Sequence, residues 1–324
     1  MRRRAFITLL GGAAALLTPA ARAQEPGRTY RLGSLHQVSR TTPHHVAFFD
    51  ELQRLGFIEG KNLLADEHGY GLRAEQFAEH ASQLVQAQVD VILCAGDAAV
   101  RAAQKATKTI PILAVVDDMV GTGLIGSLAK PDGNVTGFSI LASELDGKRQ
   151  EILMEAVPGA RRMAALGDGN VPSPQRMQVL HDAALAHGVE LLTYLVTAPE
   201  EIAGAIDAAK SSGAAALNVL ATPLLYTNRQ TILPRVAQLR LPTIYQWPEA
   251  SEAGGLIGYG PRIVQLYREI LPRQLVKLLR GARCADVPVE QPSRFELVIN
   301  LKTAQAIGHE IPAGLVLRAD KVIE

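Results

Sequence analysis

Residues 89–118 read VDVILCAGDAAVRAAQKATKTIPILAVVDD. Two short apolar runs, 89–95 and 110–116, enclose a helical stretch near 98–106. Apolar runs of this length, bounded by Gly, Pro and acidic residues, mark strands buried on both faces, and a helix between two of them is the crossover of a parallel sheet. The pattern extends upstream to strands near 30–35 and 63–67 and downstream to one near 134–138. Thr42-Pro43 opens a helix, with Thr as N-cap and Pro at the first helical position. A second helix at 74–87 lines up Phe77, Ala81, Leu84 and Val85 on one face.

The same grammar then restarts. Strands are expected near 162–167, 189–196, 214–220, 242–246 and 255–259, with helices near 174–187, 200–210 and 228–239. Ser173-Pro174 repeats the opening at Thr42-Pro43, and Thr197 with Glu200 forms a candidate capping box. VDVILCAG at 89–96 resembles AALNVLAT at 215–222, and IPILAVVDD at 110–118 resembles LPTIYQWPE at 241–249. These pairs predict an α/β fold of two similar doubly wound lobes, each with a parallel sheet. A long helix at 262–280 and a strand at 295–300 complete the chain.

At 324 residues with 48% hydrophobic content, the chain has enough apolar material for two domains and is not a disordered polymer. Lys+Arg 33 against Asp+Glu 32 leaves a net charge of +1, which lacks the basic excess of a nucleic-acid binder. Arg2, Arg3 and Arg4 precede an apolar stretch at 5–17, and Ala21-Arg22-Ala23 reads as a cleavage site. This is the pattern of an export signal at 1–23, and Arg3-Arg4 leaves Sec and twin-arginine routes both open. Removing the leader takes away four arginines and no acid, so the remainder is mildly acidic and is expected to be periplasmic. Cys94 and Cys284 allow one bridge or two free thiols, and the apolar run around Cys94 favours a buried thiol.

In open α/β sheets, ligands sit beyond the carboxyl ends of the strands. The first lobe there offers His36, Gln37, Asp97, Asp117 and Asp118, and the second offers Asp168, Asn170, Thr222, Gln246 and Trp247. Tyr259 ends another strand, and Ser139 lies at the first passage between lobes. Asp97 either binds an amine or hydroxyl or caps the helix that follows, and capping is favoured. Of Asp117 and Asp118, one is expected in a turn and one in the cleft. Trp247, with Tyr245 nearby, either stacks on a ligand or packs between strand and helix. Five of the eight histidines fall in the first third, which raises a metal site. His44 and His45, about 100° apart on a helix, do not share a face, and no acid or Cys stands at a ligating spacing. Gly121-Thr122-Gly123-Leu124-Ile125-Gly126 fits G-x-G-x-x-G but starts too far past its strand, ahead of an acidic pair, and reads as a glycine turn leading into a helix at 124–130. No nucleophile elbow, zinc-protease or C-x-x-C motif occurs, so no cofactor and no metal are expected.

Several blocks then carry a resemblance. They are Leu55-Gly56-Phe57-Ile58-Glu59-Gly60-Lys61-Asn62, Ser127-Leu128-Ala129-Lys130-Pro131 with Gly133-Asn134-Val135-Thr136-Gly137, Ala253-Gly254-Gly255-Leu256 through Tyr259-Gly260-Pro261, and Phe295 to Ala304. In this order they resemble the ABC-transporter substrate-binding proteins of the type-1 periplasmic binding fold, a group that includes tryptophan- and tyrosine-binding members. The resemblance implies a two-lobed monomeric receptor that closes on a small-molecule solute and delivers it to an ABC permease. It implies crossovers near 139–143, 260–262 and 284–292, with 28–140 plus 261–284 in one lobe and 141–260 plus 292–324 in the other. Ala95-Gly96-Asp97 stands where the group often has a small, hydroxyl-rich turn suited to a ligand carboxylate, and Asp97 repels an anion there. His36-Gln37 and Asp117-Asp118 depart similarly. The mixed set favours a small polar solute with an apolar face and a positive group. An exported two-lobed enzyme and a ligand sensor for a membrane kinase are the alternatives.

Overall fold

A computed structural model describes residues 27–171 and 174–324. The first lobe contains β1 (Tyr30–Leu35), α1 (Pro43–Arg54), β2 (Leu63–Ala65), α2 (Phe77–Gln86), β3 (Val91–Ala95), α3 (Asp97–Ala106), β4 (Ile112–Val116) and β5 (Val135–Ser139). Its sheet runs β2-β1-β3-β4-β5 with every pairing parallel.

The second lobe continues through α4 (Asp146–Ala156), β6 (Arg162–Asp168), α5 (Pro174–Ala186), β7 (Glu190–Val196), α6 (Glu201–Ser211), β8 (Leu217–Val219), α7 (Pro223–Thr227), α8 (Arg229–Gln238), β9 (Thr243–Tyr245), α9 (Pro248–Glu252) and β10 (Ile257–Gly260). The chain returns to the first lobe for α10 (Ile263–Glu269) and α11 (Leu271–Leu279). It ends on the second with β11 (Glu296–Asn300), α12 (Leu301–Ile307), α13 (Ala313–Val316) and β12 (Lys321–Ile323). The second sheet runs β7-β6-β8-β9-β10-β11-β12, and only the β10–β11 pair is antiparallel. Its first five strands repeat the order of the first sheet. That makes β3 the counterpart of β8 and β4 that of β9, the two pairs recognisable in the sequence.

Each sheet is covered on both faces, which is why its strands read as unbroken apolar runs. In the first lobe, Phe48 and Leu52 of α1 pack with Leu93, Tyr267, Leu271 and Leu275 on one face. Ile92, Cys94, Val100 and Ala114 fill the other. In the second lobe, Leu153, Met163, Leu180 and Ile257 form one layer and Leu166, Ile202, Ile206 and Leu217 the opposite one.

Local chemistry altered several expectations. The helix expected over 262–280 is two helices, because Pro272 has no N–H to donate and its ring crowds the preceding turn. Residues 124–130 are not helical. The Asp118 carboxylate takes the amides of Val120 and Gly121, and Asp132 takes that of Gly126 at 2.7 Å, so the backbone donors are spent on turns. Thr42 precedes α1 as expected, but its hydroxyl donates to Ser39 O at 2.9 Å and does not cap the helix. The box at Thr197 closes with Glu201 rather than Glu200, whose neighbour's carboxylate accepts the Thr197 N–H at 2.7 Å. β12, short and flanked by charge, has no pattern to betray it. Cys94 and Cys284 are both free and buried. The third passage between lobes is narrower than expected. Val289 N–H donates to Leu128 O, and Glu290 pairs with Phe138 and Ser139, so the chain stays on the first lobe to Glu290. The leader at 1–23 and Ser173 lie outside the described residues. No helix among the described residues is long and apolar enough to cross a membrane.

Candidate ligand-binding site

The carboxyl ends of the first-lobe strands meet those of the second lobe through His44 with Tyr226 and Gly96 with Pro223, and the seam between them is the candidate cleft. At the end of β1, His36 is completely buried. Its ring stacks on Tyr70, with centroids 5.1 Å apart and planes at 10°, and meets His45 edge-on at 4.6 Å. Although neighbours on a helix point about 100° apart, the His44 and His45 rings converge, with centroids 4.4 Å apart. Both lie against Tyr267 and both reach Thr42 Oγ1, and His44 also extends to Tyr226 of α7 in the second lobe. The Tyr226 hydroxyl and His44 Nδ1 are 3.2 Å apart. The lobes also meet where Pro223 lies over Gly96: a Cβ placed on Gly96 would sit 3.9 Å from the proline ring. Gly96 has φ +87°, a conformation side chains rarely adopt, so the β3–α3 turn requires glycine.

The histidines form a chain with defined proton positions. His45 Nδ1 is 3.0 Å from the Ser39 carbonyl, which only accepts, so this nitrogen carries the proton and His45 Nε2 is an acceptor. His36 Nδ1, 3.2 Å away, must then donate to it. Thr42 gives its own proton to Ser39 O, so His44 Nε2 donates to Thr42 Oγ1 and His44 Nδ1 accepts from Tyr226. Burial drives all three imidazoles below their ordinary pKa. The neighbouring imidazoles lower His36 and His44 further, and His45, held up by Ser39 O, falls to about 4. The rings are therefore neutral near pH 7.

Among the acids, Gly96 rather than Asp97 is the cap residue of α3, without a side-chain cap bond. The capping role expected of Asp97 is thus not the observed one. Its half-buried carboxyl is raised above the usual range, chiefly by burial, with Asp117 and Asp118 adding to the rise and Thr122 and Arg101 opposing it. Asp118 is the turn residue. Asp117 accepts the amide of Ser143 at 3.0 Å and also its hydroxyl, which ties the first strap to β4. Leu141, in that strap, has φ +57° and donates to Asp117 O at 2.9 Å, so the carboxyl end of β4 holds a strained backbone in place. Buried Ser139 donates to the same carbonyl. Gln37 is half-exposed at the mouth.

In the second lobe most expected residues are occupied by their own turns. Asp168 accepts the amide of Asn170, and the Asn170 side chain donates to Thr197 O. Thr222 caps α7 by accepting from Leu225 N–H at 3.3 Å. Trp247 is only 7% exposed and shares an apolar cluster with Ile263, Leu266 and Tyr267, so it packs between strand and helix rather than presenting a face with Tyr245. Tyr259 contributes its carbonyl, which accepts from Arg149 Nε at 2.8 Å. Gln246 is buried, and its Oε1 has no hydrogen-bond partner among the described residues.

Residues absent from the sequence reading of the cleft are Arg149, Tyr70, Tyr226 and Tyr267, together with the inward role of His44 and His45. Arg149 is wholly buried at the floor. It ties the first passage between lobes to the end of β10 through Ala142 O and Tyr259 O and pairs with Asp146, while its Nη2 has no partner among the described residues. The histidines show in the sequence only as a count, because their contacts with Tyr226 and Tyr267 come from helices far along the chain. No group of three or more His, Cys, Asp or Glu among the described residues is placed to hold a metal.

Residues 44–323 match the family described as ABC transporter substrate binding protein. A tyrosine-binding protein of Clostridioides difficile is 28% identical over 265 residues, covering 80% of this chain and 75% of that protein. A conserved domain protein from Vibrio cholerae superposes with a TM-score of 0.82 at 23% identity, covering 91% of this chain and 100% of that one. The ABC domain of a Streptococcus pneumoniae protein in complex with L-Trp superposes at 0.78 and 24% identity, with the same coverage. Two lobes of one strand order, joined by straps and meeting over their strand ends, are thus those of a known group: the chain belongs to the ABC transporter substrate-binding protein family.

Proposed function

We propose that the protein is exported on the leader at 1–23 and captures a small aromatic solute bearing an amine, an aromatic amino acid being the first candidate. It would then hand the solute to a membrane permease as a monomer with lobes of 28–140 plus 261–290 and 141–260 plus 292–324. The observation that carries this reading is that the cleft draws walls from both lobes, with Tyr226 reaching His44 and Pro223 covering Gly96. A solute touching both lobes binds the closed form better, and that difference drives closure.

Three features support the solute class. Tyr70 and Tyr226 pack around the histidine chain from the two lobes, an aromatic surrounding suited to an aromatic face. The half-buried carboxyl of Asp97, beside Asp117, suits a cation. The unpartnered Nη2 of Arg149 suits a carboxylate, for which a guanidinium is well matched. The tyrosine-binding relative and the L-Trp complex accord with this choice.

Thermal melting with L-tyrosine, L-tryptophan, L-phenylalanine, tyramine and a control sugar tests it. A solute present at about 100 times its Kd stabilises by about 2.7 kcal/mol, a shift of about 5 °C for a protein of this size. No shift with any aromatic amino acid or amine overturns the reading.

A further inference from the structure

We propose that His36 Nε2 is the buried acceptor for a hydrogen-bond donor carried on the ring end of the solute, which makes His36 the residue that separates hydroxylated from plain aromatic rings. The inference rests on the reading of the cleft as an aromatic-solute site. Its starting point is the proton order of the histidine chain. Ser39 O fixes the proton of His45 on Nδ1, and His45 Nε2 then fixes that of His36 on Nδ1. The remaining nitrogen of His36 is left as a bare lone pair. It is buried and has no partner among the described residues.

A buried acceptor without a donor is costly, and such atoms in native proteins call for an explanation. The position supplies one. His36 stands at the carboxyl end of a central strand, where ligands of open α/β sheets bind. Its ring is clamped by Tyr70 on one face and His45 at the edge, so it cannot turn to find a partner elsewhere. His45 is locked in turn by Ser39 and Thr42. The whole chain is anchored to the second lobe through His44 and Tyr226, so the acceptor is aligned in the arrangement in which the lobes touch. A phenol O–H or an indole N–H supplies the missing donor. A plain phenyl ring does not, and leaves the lone pair unmet. Sites with a buried polar group of this kind reject the analogue lacking its partner.

Binding of L-tyrosine, L-phenylalanine and O-methyl-L-tyrosine is measured by titration calorimetry on the wild type and on His36→Phe, which keeps the ring stacked on Tyr70. Wild type is expected to bind L-tyrosine at least tenfold more tightly than the other two, and His36→Phe to bind L-tyrosine and L-phenylalanine within about threefold of each other. Equal wild-type affinities for L-tyrosine and L-phenylalanine, or discrimination that survives in His36→Phe, overturn the assignment while leaving aromatic capture standing. Binding of none of the three overturns the assignment, and the aromatic-solute reading falls with it if L-tryptophan and tyramine also fail to bind. Nitrogen-15 spectra of histidine-labelled wild type provide a check that does not depend on the variant folding. They are expected to show His36 protonated on Nδ1, with the Nε2 resonance moving upfield on adding L-tyrosine. A proton on Nε2 in the free protein, or a resonance unmoved at saturation, contradicts the proposal.

Discussion

At the end of β3 the first lobe presents Gly96 and Asp97, and at the equivalent end of β8 the second lobe presents Ala221 and Thr222. The strands correspond, yet the side chains do different work. Thr222 spends its hydroxyl on capping α7, whereas the carboxyl of Asp97 makes no cap bond and stays half-buried at the cleft. The same contrast holds at the end of β1, where His36 keeps an unmet acceptor, against the end of β6, where Asp168 is occupied by the amide of Asn170. Duplicated topology thus does not duplicate chemistry. On the proposed reading, the first lobe offers the carboxyl of Asp97 and the acceptor of His36, and the second contributes Pro223 and Tyr226 together with the guanidinium of Arg149.

The sharpest way to break this comparison is at Arg149, which ties the first passage between lobes to the end of β10. Arg149→Ala removes a completely buried guanidinium with its bonds to Ala142 O and Tyr259 O, while Asp146 keeps its pair with Arg176, and is expected to cost about 2–3 kcal/mol in urea unfolding. A loss below 1 kcal/mol would show that the straps hold without it.

Acid should act next, and on the first lobe. An imidazole whose folded pKa is depressed binds fewer protons folded than unfolded, so stability is full above the unfolded value of about 6.5 and falls as pH drops towards the folded value. For His45, with a folded value of about 4, moving from pH 7 to pH 5 costs about 2 kcal/mol. Arg40 and Arg229 oppose protonation, and Tyr70, Tyr226 and Tyr267 pack around the rings. His45→Gln should therefore lose less stability than wild type over that interval in matched denaturant titrations, and an identical loss would mean the cluster is not the acid-sensitive element.

Tyr226→Phe removes the hydroxyl that crosses to His44 and keeps the ring. Affinity for L-tyrosine is expected to drop about fivefold with unfolding stability little changed, since the bond forms between lobes. Unchanged affinity would remove the second lobe from closure at this point. Thr222→Ala is the smallest perturbation: a cap bond of 3.3 Å is expected to contribute about 0.5 kcal/mol to stability and nothing to affinity. A large affinity loss there would place Thr222 among the recognition groups and erase the contrast between the rims.

Residues alone disclose the alternation of strand and helix, the restart after residue 160, and the strand ends where a cleft must lie. Burial on both sheet faces writes each strand as an apolar run, and the βαβ repeat keeps consecutive elements adjacent. The family blocks at 55–62, 127–137 and 295–304 are likewise local. What side chains do at the strand ends is not local. His36 acquires its tautomer from Ser39 and His45, Arg149 finds Tyr259 O at the end of β10 more than a hundred residues away, and Trp247 is drawn into the first-lobe core by helices that follow it. Such roles arise from partners brought together by folding, and a one-dimensional pattern records a residue's type but not which distant atom will satisfy it.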